Sequence, residues 1–383
     1  MRRARQTLVS YARRSFGIFN RRKVFVEVIT LCRNSLSRGH ITARVALVLA
    51  YICLSSCASL TNVGLNPKVA DATQALVTRA SVTSELKQNL YVLTFSGLVE
   101  RFPLLNGIPA REPSSTLVLR NSPSGGFAVD RTGAIYTSYY LINGQNFDYY
   151  VDVYAPGASG AAAPVRTVSV TNVDISELWV DQGGYLYVSG WRNGVWGRVD
   201  IFAPGPSAST SIDAEQPTQI IALPGKTYWP GGIATDAGGQ LYVTSRGDQN
   251  EVLVYTDPTT APVLTRTFCS RHDTDGVAID DRGSVFLLPL GYRDPPGRIG
   301  IAEMSGHARD CPESALRYIG LRDQNIDGYD SIAVWGHYLY ALAVAKAEHS
   351  ARIITFDANR GWQHPVEVIE RRNASAFDAV VGP

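Results

Sequence analysis

Four acidic residues stand at the head of short apolar phrases: Glu177 in SELWVD, Asp275 in DGVAID, Asp330 in YDSIAV and Asp378 in FDAVV. Asp174, Asp273 and Asp327 lie a few residues before three of them. Carboxylates that converge on one point either hold a hard cation such as Ca²⁺ through oxygen or raise one another's pKa. Acids at such positions also cap turns and stay solvated, so the surrounding elements decide between these roles. A second set is aromatic: Tyr139, Trp191 and Trp229, with Tyr140, Tyr149, Tyr150, Trp196 and Tyr228 nearby. Exposed rings beside acids suit the capture of a sugar or peptide, whereas buried rings pack.

Other chemistries find no motif. There is no G-x-S-x-G elbow and no H-E-x-x-H. Gly225-Lys226-Thr227 resembles the end of a phosphate loop, but Ile220 stands where its first glycine belongs. The six histidines, at 40, 272, 307, 337, 349 and 364, never fall at helical metal-ligand spacing. No catalytic residue and no cofactor are expected, with Ca²⁺ as the one ion the acids could hold.

The elements that must position these residues repeat. GGFAVDRTGAIYTS, SELWVDQGGYLYVS, GGIATDAGGQLYVT and DGVAIDDRGSVFLL begin at Gly125, Ser176, Gly231 and Asp275, and YDSIAVWGHYLYAL follows from Tyr329. Each is an inner strand, a glycine turn and a second strand carrying an aromatic. Aligned on that aromatic, the copies sit at Tyr91, Tyr136, Tyr187, Tyr242, Phe286 and Tyr340, spaced 45, 51, 55, 44 and 54 residues apart. Further strand-like runs follow each phrase, giving four short strands per repeat, the pattern of a propeller blade. The first copy lacks its inner strand, while the tail Ala376–Val381 resembles one. The sequence therefore predicts an all-β, six-bladed propeller over residues 85–383, closed by the C-terminal strand completing the first blade. Its inner strands would begin at the channel mouth and present Glu177, Asp275, Asp330 and Asp378 there.

The stretch GGIATDAGGQLYVTSRGDQNEVLVYT resembles an NHL-type repeat, and the whole region resembles NHL and TolB-like propellers of bacterial lipoproteins. More distantly it resembles the gluconolactonase (senescence marker protein) family of six-bladed, metal-dependent lactonases. That resemblance implies a Glu, an Asn and an Asp as metal ligands. Asp275-Gly276 matches the last, Gly231 occupies the Asn position, and Asp378 or Glu177 would have to serve for the Glu.

The N-terminus reads as an address. Residues 45–56, VALVLAYICLSS, follow Arg33, Arg38 and Arg44 and are too few to span a bilayer. Leu54-Ser55-Ser56-Cys57 resembles a lipobox, which implies a lipid on Cys57 and removal of everything before it; a plain secretory signal is the alternative. Ala58 after the anchor favours the outer membrane or cell surface. The reading divides the chain into a basic extension (1–44, which a start site placed too far upstream would account for), a signal core and lipobox (45–57), a tether (58–84) and the propeller (85–383). Cys269 and Cys311 would remain, either as a disulfide or as two free thiols.

The formal net charge of +2 mixes two populations. Residues 1–44 carry 11 Lys and Arg against Glu27 alone, leaving 25 bases and 33 acids downstream. An acidic body offers no stripe for phosphate backbones, so nucleic acid is excluded as a partner. The expectation is a monomeric, membrane-anchored extracytoplasmic lipoprotein whose propeller binds a protein, peptide or glycan. A Ca²⁺-dependent lactonase or hydrolase with an altered metal site is the alternative.

Overall fold

The computed structural model describes residues 88–383 except 145, 172, 193–194, 206–211, 214–215, 225–228, 247–249, 270–273, 290–300, 305–316, 320–325, 346–349, 363 and 372–375. Glu85–Pro383 forms one compact unit. The signal core, Cys57 and the tether lie outside the described residues, as do Cys311 and the Cys269 thiol.

Among the described residues the strands form six antiparallel blades. Their inner strands are Ala376–Gly382, Phe127–Val129, Asp174–Val180, Trp229–Thr235, Thr274–Ile279 and Ile326–Trp335, from blade one to blade six. Each blade has four strands. Short extra strands at Ile108–Pro109 and Ile212–Asp213 pair with blades one and two.

Period-two alternation buries both faces of a blade. In the second strand of blade one, Leu90 and Val92 face Tyr340, Leu342 and Ile353 of blade six, while Tyr91 and Leu93 face Phe127, Ile135 and Tyr154 of blade two. Such clusters fill the gap between every neighbouring pair of blades. Each fully buried large side chain in them contributes roughly 1.5–3 kcal/mol.

The recurrent Asp-x-x-Gly and the recurrent aromatic form a single device. In blade three, Asp181 Oδ1 accepts from the Tyr185 amide at 2.9 Å, and Oδ2 accepts the Tyr187 hydroxyl at 3.0 Å. Asp130 and Asp236 receive Tyr136 and Tyr242 in the same way. Gly184 closes the turn at φ 83, where an L side chain would be strained. The turn is thus tied to the strand that leaves it, which explains why the two residue types recur together.

Ring closure is direct. Asn89–Thr94 pairs with Ala376–Gly382, from Asn89 opposite Gly382 to Thr94 opposite Ala376. Tyr91 donates its hydroxyl to the Pro383 carbonyl at 2.6 Å, and Arg371 of blade six pairs with Glu100 of blade one. No strand edge is left open at the seam. Because Asn89 lies against the end of the inner strand, the chain enters the ring at the turn end, opposite the channel mouth.

Candidate site at the channel mouth

Five inner strands break register near the mouth. Ser189 pairs with Glu177 but Gly190 with Ile175; Thr274 pairs with Pro289 but Gly276 with Leu288; Tyr329 pairs with Ala343 but Ser331 with Leu342. Similar shifts occur beside Asp378 and at Gly231-Gly232. Each bulge adds an unpaired residue and re-aims the side chains around it. Asp275 and Asp330 are themselves the extra residues. The bulges bring Glu177, Asp275, Asp330 and Asp378 onto one axial cavity of about 390 Å³. Among the described residues, no Arg, Lys or His lines it.

Two of these acids meet. Glu177 Oε1 accepts from the amides of Leu178 at 2.9 Å and of Phe127, in blade two, at 3.3 Å. Asp378 Oδ1 accepts from the Ser331 hydroxyl of blade six at 2.7 Å and from the Ala379 amide at 2.7 Å. The two carboxyl groups also lie within hydrogen-bonding reach of each other. Burial, and then the negative charge of Asp378, holds Glu177 well above the ordinary carboxyl range. Burial pushes Asp378 up to about 7. Asp330 is exposed to the channel, yet the enclosing walls strip enough water to push it up to about 6.

Two of the three singled-out aromatics reach the same cavity. Trp191 lies opposite Asp174 on the strand leaving the turn of blade three, and Trp229 opens the inner strand of blade four. Their rings meet edge to face at 5.3 Å and 68°, and Trp229 is 45% exposed. Tyr139 goes elsewhere. It is 4% exposed, stacked on Tyr150 at 5.2 Å and bonded by Arg120, so no ligand on the open face reaches it. The strand pair Ile135–Asn143 and Asn146–Tyr154 exposes Tyr140, Ile142 and Phe147 instead.

The metal site implied by the lactonase resemblance has no room for its Asn. A Cβ at Gly231 would lie 2.7 Å from the Asp275 carbonyl oxygen and 2.6 Å from Thr244 Oγ1. Glycine here lets adjacent inner strands approach, and any side chain would force them apart. Among the described residues no three His, Cys, Asp or Glu groups converge closely enough to hold a metal ion.

No protein-family model and no curated protein matches the sequence. Solved structures do resemble the fold. A protein of unknown function from Bacteroides caccae aligns at TM-score 0.51 and 8% identity over 77% of this chain and 98% of its own. A protein from Lactobacillus plantarum aligns at 0.51 and 11%, over 77% and 99%. The periplasmic gluconolactonase of Pseudomonas aeruginosa aligns at 0.47 and 14%, over 73% and 82%. The likeness is one of fold.

Ser331 is the member of the site that sequence reading missed. It follows Asp330 directly, and its counterpart in the C-terminal tail is Ala379. That unmatched hydroxyl was the available signal.

Proposed function

We propose that the chain is a lipid-anchored extracytoplasmic propeller that binds, without chemistry, a peptide or glycan at its channel mouth. One observation carries this reading: a cavity whose acids accept hydrogen bonds and whose rim offers two tryptophan rings, with no base among its described lining residues. A ligand with hydroxyl or ammonium donors and a flat apolar face would meet both surfaces. Anionic and phosphorylated ligands would meet the like charge of Glu177, Asp275, Asp330 and Asp378.

The test is a binding screen of the soluble mature chain against glycan and basic-peptide arrays, with Asp330→Asn and Trp191→Ala as comparators. Saturable binding of an array member, weakened about tenfold or more in Trp191→Ala, supports the reading. No binding by any member, or Ca²⁺-dependent turnover of a lactone, overturns it.

A further inference from the structure

The Glu177–Asp378 pair ties together more of the ring than any strand ladder does. Glu177 belongs to blade three and holds the Phe127 amide of blade two. Asp378 belongs to the closing strand of blade one and holds Ser331 of blade six. Four consecutive inner strands therefore meet at one contact, and one of them is the strand that closes the ring. Two carboxylates have only acceptors between them, so a hydrogen bond joining them contains a proton.

We propose that Glu177 and Asp378 share a single proton across the channel and that this proton latches the C-terminal strand into the ring. The inference stands independently of the binding function. With the proton present, both carboxyls are satisfied by fixed donors and by each other. Once it leaves, two like charges face each other, and the described residues of the cavity wall include no cation to offset them. The groups that face the pair are Asp330 from blade six and Asp275 from blade five. Among the described residues, blades two and four add no titratable side chain to the lining.

The direction of the pH effect follows from the folded state binding the proton more tightly than the unfolded chain. Both acids have folded values raised above their free ones, Asp378 to about 7. The latch is complete below the free carboxyl range near 4 and is lost as pH rises through the folded values. Asp330, pushed up to about 6, titrates in the same direction, so Asp330→Asn is the necessary background.

Backbone hydrogen exchange, corrected for the intrinsic rate and followed by mass spectrometry from pH 5 to 9, reads the latch strand by strand. In the Asp330→Asn background, protection of Ala376–Gly382 falls about tenfold or more as pH rises, while Leu241–Arg246 in blade four holds steady. Glu177→Gln, which donates to Asp378 but cannot ionise, keeps the closing strand protected at pH 9. Parallel behaviour of the closing strand and blade four across the range overturns the proposal. If Glu177→Gln fails to close the ring, infrared spectroscopy of the unsubstituted protein decides the matter. A protonated-carboxyl band that persists at pH 7 and disappears by pH 9 supports the shared proton, and its absence at pH 7 overturns it.

Discussion

The two ends of the ring are built by different rules. At the turn end, blades two, three and four repeat one device: an aspartate that holds its own turn and receives a tyrosine hydroxyl from the next strand. At the mouth end the blades diverge. Blade four presents Gly231-Gly232, blade three Glu177, blade five Asp275, and blade six Asp330 followed by Ser331. Repetition marks residues that make a blade, and divergence marks residues free to specialise once the blade exists. Where the two ends meet, in the inner strands, the demands of packing dominate both.

The most severe way to break this comparison is to remove the strand common to both ends. A chain terminated after Arg371 lacks Ala376–Gly382, leaving Asn89–Thr94 an open edge and stripping Ala379 from the blade six–blade one core. Loss of the cooperative thermal transition and of near-ultraviolet circular dichroism is expected, because an unpaired edge invites aggregation. Retention of a sharp transition would mean that closure contributes little.

Glycine substitutions separate the ends more finely. A Cβ at Gly126 would lie 2.3 Å from the Leu178 amide nitrogen, a backbone atom that cannot yield without moving blade three. Gly126→Ala is expected to cost about 3 kcal/mol in chemical denaturation. Gly239, at the turn end, has φ 78 and open space around it, so Gly239→Ala meets only backbone strain, about 1–2 kcal/mol. Equal costs would remove the distinction between close approach and turn geometry.

A smaller effect tests the turn device itself. Tyr187 is 1% exposed and donates to Asp181, whereas the buried Tyr255 hydroxyl has no partner among the described residues. Tyr187→Phe should cost about 1 kcal/mol, and Tyr255→Phe almost nothing, since it deletes an unsatisfied polar atom. Matched denaturation curves for the two variants check this. A Tyr255→Phe cost equal to that of Tyr187→Phe would show that the rings matter and the hydroxyls do not.

This division also explains what could be read from the sequence. The blade count and the closing strand were legible because turn aspartates, glycines and aromatics recur at near-constant spacing, and each recurrence reports the same local physics. The four acids were legible as residues aligned to inner strands. Their common place at the channel mouth followed from that alignment, but the meeting of Glu177 with Asp378 did not, because register shifts beside both residues re-aim the side chains, and a bulge leaves no repeated residue type behind. Tyr139 illustrates the same limit. Its neighbour Tyr140 is exposed and it is not, because the strand is buried on both faces from Ile135 to Tyr139 and exposed on both from Tyr140 to Asn143, and composition alone does not reveal where along the strand that boundary falls.

The prediction most telling for the mouth concerns Trp229. A ring that packs between blades should lose several kcal/mol on truncation to alanine, as buried aromatics do. Trp229 instead is nearly half exposed and touches Trp191 at its edge. Trp229→Ala is therefore expected to change unfolding free energy by no more than about 1 kcal/mol, the worth of one exposed aromatic pair. It should nonetheless weaken any ligand held at the mouth by about tenfold or more, as loss of an aromatic anchor does. Both quantities come from one preparation, by denaturation and by titration of the remaining tryptophan fluorescence. A large stability loss with unchanged binding would place Trp229 with the packing residues of the turn end and leave the mouth with its acids alone.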